Sequence, residues 1–202
     1  MIEGIENVYS TGEDKTASRG AAQERPEVTM AEWSGPLKIR PARVDDAKEI
    51  ARIYNQGVQD RTATFENAYV TPEERYLWLA ARPEKFPVLV AEVKHTLMGW
   101  ASLTPYSPRH CYDGIAELSI FIERSLRGHG VAQELMKAMQ EAARERGFYK
   151  IIGRILADNE PARKLCQLMG WREVGVHAKH GKLGHEWHDL TLVELLIPEN
   201  MK

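Results

Sequence analysis

Cysteine is nearly missing from this 202-residue chain, which holds only Cys111 and Cys166. Two cysteines are too few for a disulfide scaffold, so a reduced, cytoplasmic setting is the simplest reading. Long apolar runs are lacking as well. No stretch approaches the roughly 20 residues needed to span a bilayer, so no membrane partner is expected. The N-terminus has no basic region leading into an apolar stretch and a small-residue cleavage site, which argues against a secretory signal. A charge excess is also absent. The formal net charge of −2 leaves no broad basic surface, and nucleic acid drops out as an implied partner. There is no internal repeat and no low-complexity tract.

What remains is 43% hydrophobic, enough for one domain with a full-sized core. Residues 1–35 stand apart. "YSTGEDKTASRGAAQERPE" is polar and has no apolar period, so it cannot offset its ordering entropy and is expected to be a flexible extension. The domain is expected over residues 36–202.

Within that domain the pattern alternates between strand and helix. A short strand at 37–40 precedes "RVDDAKEIARIYNQGV", where Ala47, Ile50, Ile53, Tyr54 and Val58 fall near helical spacing. "TPEERYLWLAAR" begins a second helix, with Thr71 as N-cap, Pro72 at the first helical position and Glu74 closing a capping box. "FPVLVAEV" and "LMGWASLTPY" read as strands joined by a turn near Lys94 to Thr96. "GIAELSIFIE" is a third, strongly apolar strand. A long helix then runs to about Arg146, with Val131, Leu135, Met136, Met139, Ala142 and Ala143 as its buried stripe. "YKIIGRILA" is apolar enough to be a central strand. "NEPARKLCQLMGW" is a short helix closed by Gly170. "WREVGVHA" and "HEWHDLTLVELLI" complete the order βααβββαβαββ, which implies a mixed α/β sheet of about seven strands flanked by about four helices.

"RSLRGHGVAQELM", residues 125–137, sets glycines at the start of the long helix. Unpaired amides and the positive end of a helix favour an anion there, and small residues let it come close. A Walker-type loop would need Gly-Lys followed by Ser or Thr, which this stretch lacks. A dinucleotide fingerprint would need a third glycine near Gln133 and an acidic residue at the end of the next strand, but Gln133 is not glycine and "YKIIGRILA" carries no acid before Asp158. A glycine turn that merely caps a helix would read the same way.

What is left is R-x-x-G-x-A, formed by Arg127, Gly130 and Ala132. With "ELSIFIERSLRGHGVA" before it and "NEPARKLCQLMGW" after it, the chain resembles the GNAT superfamily of N-acetyltransferases over about residues 37–198. Within that superfamily "IRPARVDDAKEIARIYNQGV", "TATFE", "FPVLVAE", "MGWASLTPY", "AELSIFI" and "WHDLTLVELLI" look like the landmarks of the phosphinothricin N-acetyltransferase group. The resemblance implies a GNAT fold, acetyl-CoA as cosubstrate, and acetylation of the α-amino group of small amino-acid-like compounds. Phosphinothricin and methionine sulfone or sulfoximine are the examples. It also implies a homodimer.

The resemblance further implies site residues. The loop Arg127, Gly128, His129, Gly130, Val131 and Ala132 would hold the pyrophosphate. A bulge in the strand before it would free the amides of Ile120 and Ile122, flanking Phe121, to pair with the pantetheine and polarise the thioester. Asn159 matches an asparagine that contacts the cofactor, and it would serve equally as a helix N-cap. Glu117 matches the acid that takes the ammonium proton, directly or through water; its plain alternative is a solvent-facing strand residue or an ion-pair partner. His110 is the next candidate base. Cys166 stands where many relatives carry a tyrosine acid, so the general acid is left open, and packing is the commoner fate of such a thiol.

Arg61, Arg109 and Tyr112, in "DRTATFEN" and "SPRHCYDG", are candidates to bind a carboxylate or phosphinate. Asp113 and Gly114 replace the basic pair that many phosphinothricin-type members carry, which weakens phosphinothricin itself as substrate. His177, His180, His185 and His188 crowd the tail, but a hairpin would scatter them over two faces, so no metal is expected. Two further readings stand beside the small-molecule enzyme: a protein N-acetyltransferase, and a non-catalytic acetyl-CoA sensor.

Overall fold

A computed structural model of the chain describes residues 35–201. The expected N-terminal extension therefore lies, apart from Gly35, outside the described residues. The elements are β1 (Lys38–Pro41), α1 (Ala47–Asp60), α2 (Pro72–Ala80), β2 (Val88–Val93), β3 (Thr96–Pro105), β4 (Ile115–Ile122), α3 (Val131–Glu145), β5 (Lys150–Leu156), α4 (Glu160–Leu168), β6 (Arg172–Leu183) and β7 (Glu186–Leu196). Their order is the one read from the sequence. Seven strands form one sheet in the order β1-β2-β3-β4-β5-β7-β6. Every pairing is antiparallel except β4 with β5.

Local signals account for several element ends. Arg61 takes a left-handed conformation (φ 54°) and stops α1. At the start of α2, the Thr71 hydroxyl accepts from the Glu74 amide (3.1 Å), while the Glu74 carboxylate accepts from the Thr71 amide (2.7 Å). That reciprocal pair satisfies two donors that the helix leaves orphaned. Lys94 and His95, both at positive φ, make the tight β2–β3 turn.

The sheet separates two cores. One packs α3 and α4 on the strands, and the buried face of α3 is the stripe Val131, Leu135, Met136, Met139, Ala142 and Ala143. The other packs Ile50, Ile53, Tyr54 and Val58 of α1 against Val90, Trp100 and Phe121. Fully burying a side chain such as Leu135 is worth about 1.5–3 kcal/mol, and the burial fixes which face of each helix meets the sheet.

One strand departs from expectation. The sequence pattern ends at Ala178, but β6 runs on to Leu183. Its pairing with β7 shifts register at Glu173/Gly175 and again at His177/Gly181. The second irregularity lets pairing resume beyond a stretch that breaks the alternation. Among the described residues, no helix is long and apolar enough to cross a membrane.

Candidate active site

β4 and β5 pair at only three positions: Ile115 with Lys150, Ala116 with Ile151 and Glu117 with Ile152. Beyond Glu117 the two strands run on unpaired, to Ile122 and Leu156, and a fork opens between them. The expected bulge in β4 is not its cause. The β3–β4 ladder is unbroken from Gly99–Ile122 to Pro105–Ala116, so β4 stays with β3 and diverges whole from β5. Exposure marks the opening. Both strands are interior to the sheet, yet Glu117 to Ile120 are only half-buried and Arg154 is exposed.

The ladder also decides which amides face the fork. In antiparallel pairing, alternate residues turn their amide and carbonyl toward the same neighbour. Glu123 donates from its amide to the Met98 carbonyl (2.9 Å), so residues 119 and 121 also address β3. The amides of Ile120 and Ile122 are left pointing to the fork. Phe121 contributes no such amide, and its buried ring stacks on Trp100 at 4.8 Å.

Glu117 sits at the root of the fork, where Nη2 of Arg154 donates to its Oε2 at 2.5 Å. Burial pushes the Glu117 carboxyl above the ordinary glutamate range, and the Arg154 guanidinium pulls against that shift without cancelling it.

The open end of the fork leads to the glycine turn. Gly128 (φ 80°) and Gly130 (φ 85°) are both left-handed, and Gly130 is the N-cap of α3 with no side chain capping the first turn. The amide of Glu134 bonds to the Gly130 carbonyl (3.2 Å). The amides of Val131, Ala132 and Gln133 precede it and have no partner within the helix. A Cβ placed on either glycine would meet nothing within 4 Å, so the approach is open. These residues fit a phosphate group, and the fork amides fit an extended amide-bearing chain.

Side chains around the turn brace it. Arg127 reaches Asp60 at the end of α1 (2.6 Å), and Arg124 reaches the other oxygen of the same carboxylate (2.6 Å). Nε of Arg127 also donates to the Ile122 carbonyl (3.4 Å). Nδ1 of His129 lies 3.0 Å from the Arg127 carbonyl. Below them the buried Glu123 carboxylate pairs with Arg52 and accepts from Gln56 (2.7 Å).

The other sequence candidates take varied places. Asn159 caps α4 by accepting from the Ala162 amide (3.2 Å) and donates to the Thr62 carbonyl (2.8 Å), so it ties the loop after α1 to α4. Phe65 of that loop lies against Gly181, where a Cβ would come within 2.6 Å of its ring. Arg61 is exposed near the β6–β7 turn, with Nη1 4.0 Å from a Cβ built on Gly184. Arg109 and Tyr112 belong to the turn before β4, and Tyr112 meets Tyr106 edge-on at 5.5 Å. Arg61 follows Asp60, which is bound beyond the end of β4, whereas Arg109 and Tyr112 precede the start of that strand. Asp113 pairs with His110 (3.3 Å). Cys166 is packed in the core, and burial pushes its thiol up to about 11. The rings of His177 and His180 lie 4.9 Å apart, while His188 faces Asp158 at 3.8 Å. Among the described residues, no cluster of three or more His, Cys, Asp or Glu could hold a metal ion.

Three residues escape a reading of the sequence. Asp60 is the anchor of the glycine turn. Arg75 lies over the rings of Tyr54 (4.3 Å) and Trp78 (4.9 Å), and burial lowers its pKa. Arg154 was legible in principle, as the one charged residue inside the apolar run "IIGRIL".

Comparison with known proteins matches residues 39–192 to the acetyltransferase (GNAT) domain family. A methionine sulfoximine/methionine sulfone acetyltransferase of Pseudomonas paraeruginosa is 30% identical over 78% of this chain and 92% of its own. A phosphinothricin N-acetyltransferase of Streptomyces coelicolor is 27% identical over 75% and 91%. Among solved structures, a ribosomal-protein-alanine N-acetyltransferase from Brucella melitensis superposes with a TM-score of 0.77 at 32% identity, covering 79% of this chain and 99% of that one. A Salmonella typhimurium protein solved with its cofactor acetyl-CoA gives a TM-score of 0.77 at 25% identity over 80% and 94%.

Proposed function

The chain belongs to the GNAT acetyltransferase family, and from that premise we propose that it moves an acetyl group from acetyl-CoA to the α-amino group of a small amino acid or amino-acid analogue. The methionine sulfoximine and phosphinothricin class is the one named for its relatives. One observation carries the reading: the fork between β4 and β5, with the Glu117 carboxyl at its root and the uncapped N-terminus of α3 at its mouth.

Acetyl-CoA supplies an activated thioester. The chain's residues do the rest. The amides of Val131 and Ala132, with the left-handed Gly128 and Gly130, hold the pyrophosphate. The Ile120 and Ile122 amides align the pantetheine and stabilise charge on the thioester oxygen. Glu117 removes the proton from the acceptor's ammonium, which at a pKa of ~8 or above is mostly charged at neutral pH. Its upward-shifted carboxyl suits that task better than an ordinary one. The Cys166 thiol faces the core, which assigns it packing and leaves the leaving thiolate without a cysteine donor.

The Brucella relative favours a second reading, acetylation of a protein N-terminus. One experiment weighs both. Thiol release from acetyl-CoA is measured across free amino acids, analogues and alanine-led peptides, as a function of pH, for wild type and Glu117→Gln. Wild type is expected to turn over small amino acids. Glu117→Gln is expected to lose about 10² to 10⁴ in turnover near neutral pH, with the deficit shrinking as pH passes the substrate's own pKa. Parallel pH profiles would remove Glu117 from the mechanism, and turnover confined to peptides would select the second reading.

A further inference from the structure

An interior strand has neighbours on both sides, so an exposed charge in its middle needs a reason. β5 lies between β4 and β7, and Arg154 is nonetheless exposed, with 46% of its side chain accessible. The fork is the reason. Two residues past the last β4–β5 pair, Arg154 stands where β4 has already left. Across the gap it meets Glu117, whose side chain is 21% accessible. A cation and an anion thus stand side by side at the reacting end of the fork.

An α-amino acid is a zwitterion with the complementary pattern. Standard bond lengths place its nitrogen and its carboxylate oxygens about 3 Å apart. A ligand that brings its ammonium to Glu117 can therefore bring its α-carboxylate to within reach of Arg154 in the same pose. A side-chain acid several bonds away would not arrive there together with the amine.

Resting on the acetyltransferase reading, we propose that Arg154 is the receptor for the acceptor's α-carboxylate, so that the Glu117–Arg154 pair opens by exchanging partners with the incoming amino acid. Arg154 gives its planar fork to the carboxylate, which accepts two parallel hydrogen bonds. Glu117 trades the permanent charge of its arginine for an ammonium whose charge is lost with the proton it gives up, so burial then favours the protonated carboxyl. The free chain holds its base in check until an acceptor with both groups arrives. A plain amine offers nothing to Arg154, and the first residue of a peptide has lost its α-carboxylate to the amide bond. The device therefore selects free amino acids over protein N-termini.

Among the described residues, Arg154 is the charged group that shifts the Glu117 carboxyl. Arg154 comes from β5. Opposite on β3 is Thr104, whose hydroxyl lies 3.5 Å from the Glu117 carbonyl. α1 reaches β4 through Gly57 against the ring of Phe121, four residues further along, and α3 packs on the opposite face of the sheet. The turn before β4 carries Arg109, His110 and Asp113, the last two paired with each other.

The test compares each amino acid with its α-carboxamide in wild type, Arg154→Leu and Arg154→Lys, using pH-independent values of kcat/KM from full profiles. Wild type is expected to prefer the acid by roughly 10- to 150-fold, the worth of a hydrogen bond to a charged group. In Arg154→Leu that preference is expected to fall to within a few-fold, mainly through KM, and Arg154→Lys should keep only part of it. The acidic limb of kcat/KM should also move to higher pH in Arg154→Leu, because that limb reports Glu117 in the free enzyme. Equal use of acid and amide by wild type overturns the proposal whatever the variants do. An undiminished preference in an active Arg154→Leu protein does so too. Absence of thiol release by wild type with every amine is a different result, and it would overturn the acetyltransferase reading along with the proposal.

Discussion

At Glu117 two opposing effects leave a sign that stability can report. Burial raises the carboxyl, Arg154 lowers it, and the net shift is upward. A carboxyl whose folded pKa exceeds its unfolded value of ~4.3 binds its proton more tightly in the fold. Its ionised form therefore costs stability once pH rises past the folded pKa, and costs nothing below the unfolded one. Glu117→Gln, neutral at every pH, is expected to raise Tm at about pH 7 and to leave it unchanged near pH 3. A variant less stable than wild type at neutral pH would show that the ion pair outweighs burial, and would cast Glu117 as a structural partner. Sites that keep a charged, partly desolvated group for chemistry commonly sacrifice stability in this way.

Among the elements, the joint between α1 and the glycine turn matters most, and Asp60 is the tie that reaches Arg127, beside those of Arg52 and Gln56 to Glu123. Burial would raise the Asp60 carboxyl, but hydrogen bonds and charge from Arg124 and Arg127 hold it below the ordinary aspartate range. Both arginines are more than a third exposed, so each pair is worth only ~0.2–1 kcal/mol. Asp60→Asn should then raise KM for acetyl-CoA by roughly threefold to tenfold with kcat nearly intact, measured by steady-state thiol release. A depressed folded pKa adds stability that is present above the unfolded value of ~3.9 and is lost as pH falls through the folded one. The gap in Tm between wild type and Asp60→Asn should accordingly close below about pH 4. Unchanged cosubstrate affinity would reduce Asp60 to a surface charge. Elements of this kind differ in how plainly a sequence announces them. The capping box of Thr71 and Glu74 and the stripe of α3 depend on neighbours within a turn or two, and both were readable. The anchoring of Arg127 by Asp60 and the divergence of β4 from β5 depend on partners dozens of residues away, and the second half of β6 follows a break in its register with β7. No local periodicity encodes those. The candidate base and the glycine turn were legible through their motifs, whereas Arg154 looked like one charge in an apolar strand until the fork supplied its surroundings.

For the molecule as a whole, the three rungs between β4 and β5 do more than open a fork. β1 to β4 come from residues 38–122 and β5 to β7 from residues 150–196, so each side of the seam is a set of strands contiguous in the chain. The sheet is two locally assembled leaves, and their ladder pairing is confined to the stretch where residues 115–117 meet residues 150–152, with the Gly114 carbonyl just before it accepting from the Tyr149 amide (2.9 Å). Contacts between near neighbours in sequence close fast, and distant ones wait on the loop entropy of everything between them. The leaves can therefore form first and dock last, with α3 as the strap that carries the chain across. A late, three-rung seam is also the part of a sheet that opens most cheaply. Native-state hydrogen exchange should find the amides that bridge residues 115–117 and 150–152 less protected than those between β2 and β3 or β5 and β7. Uniform protection across the whole sheet would contradict two leaves. Acetyl-CoA in the fork would touch both leaves, so it should slow exchange at the seam more than anywhere else, and the substrate would then be part of what holds the enzyme shut.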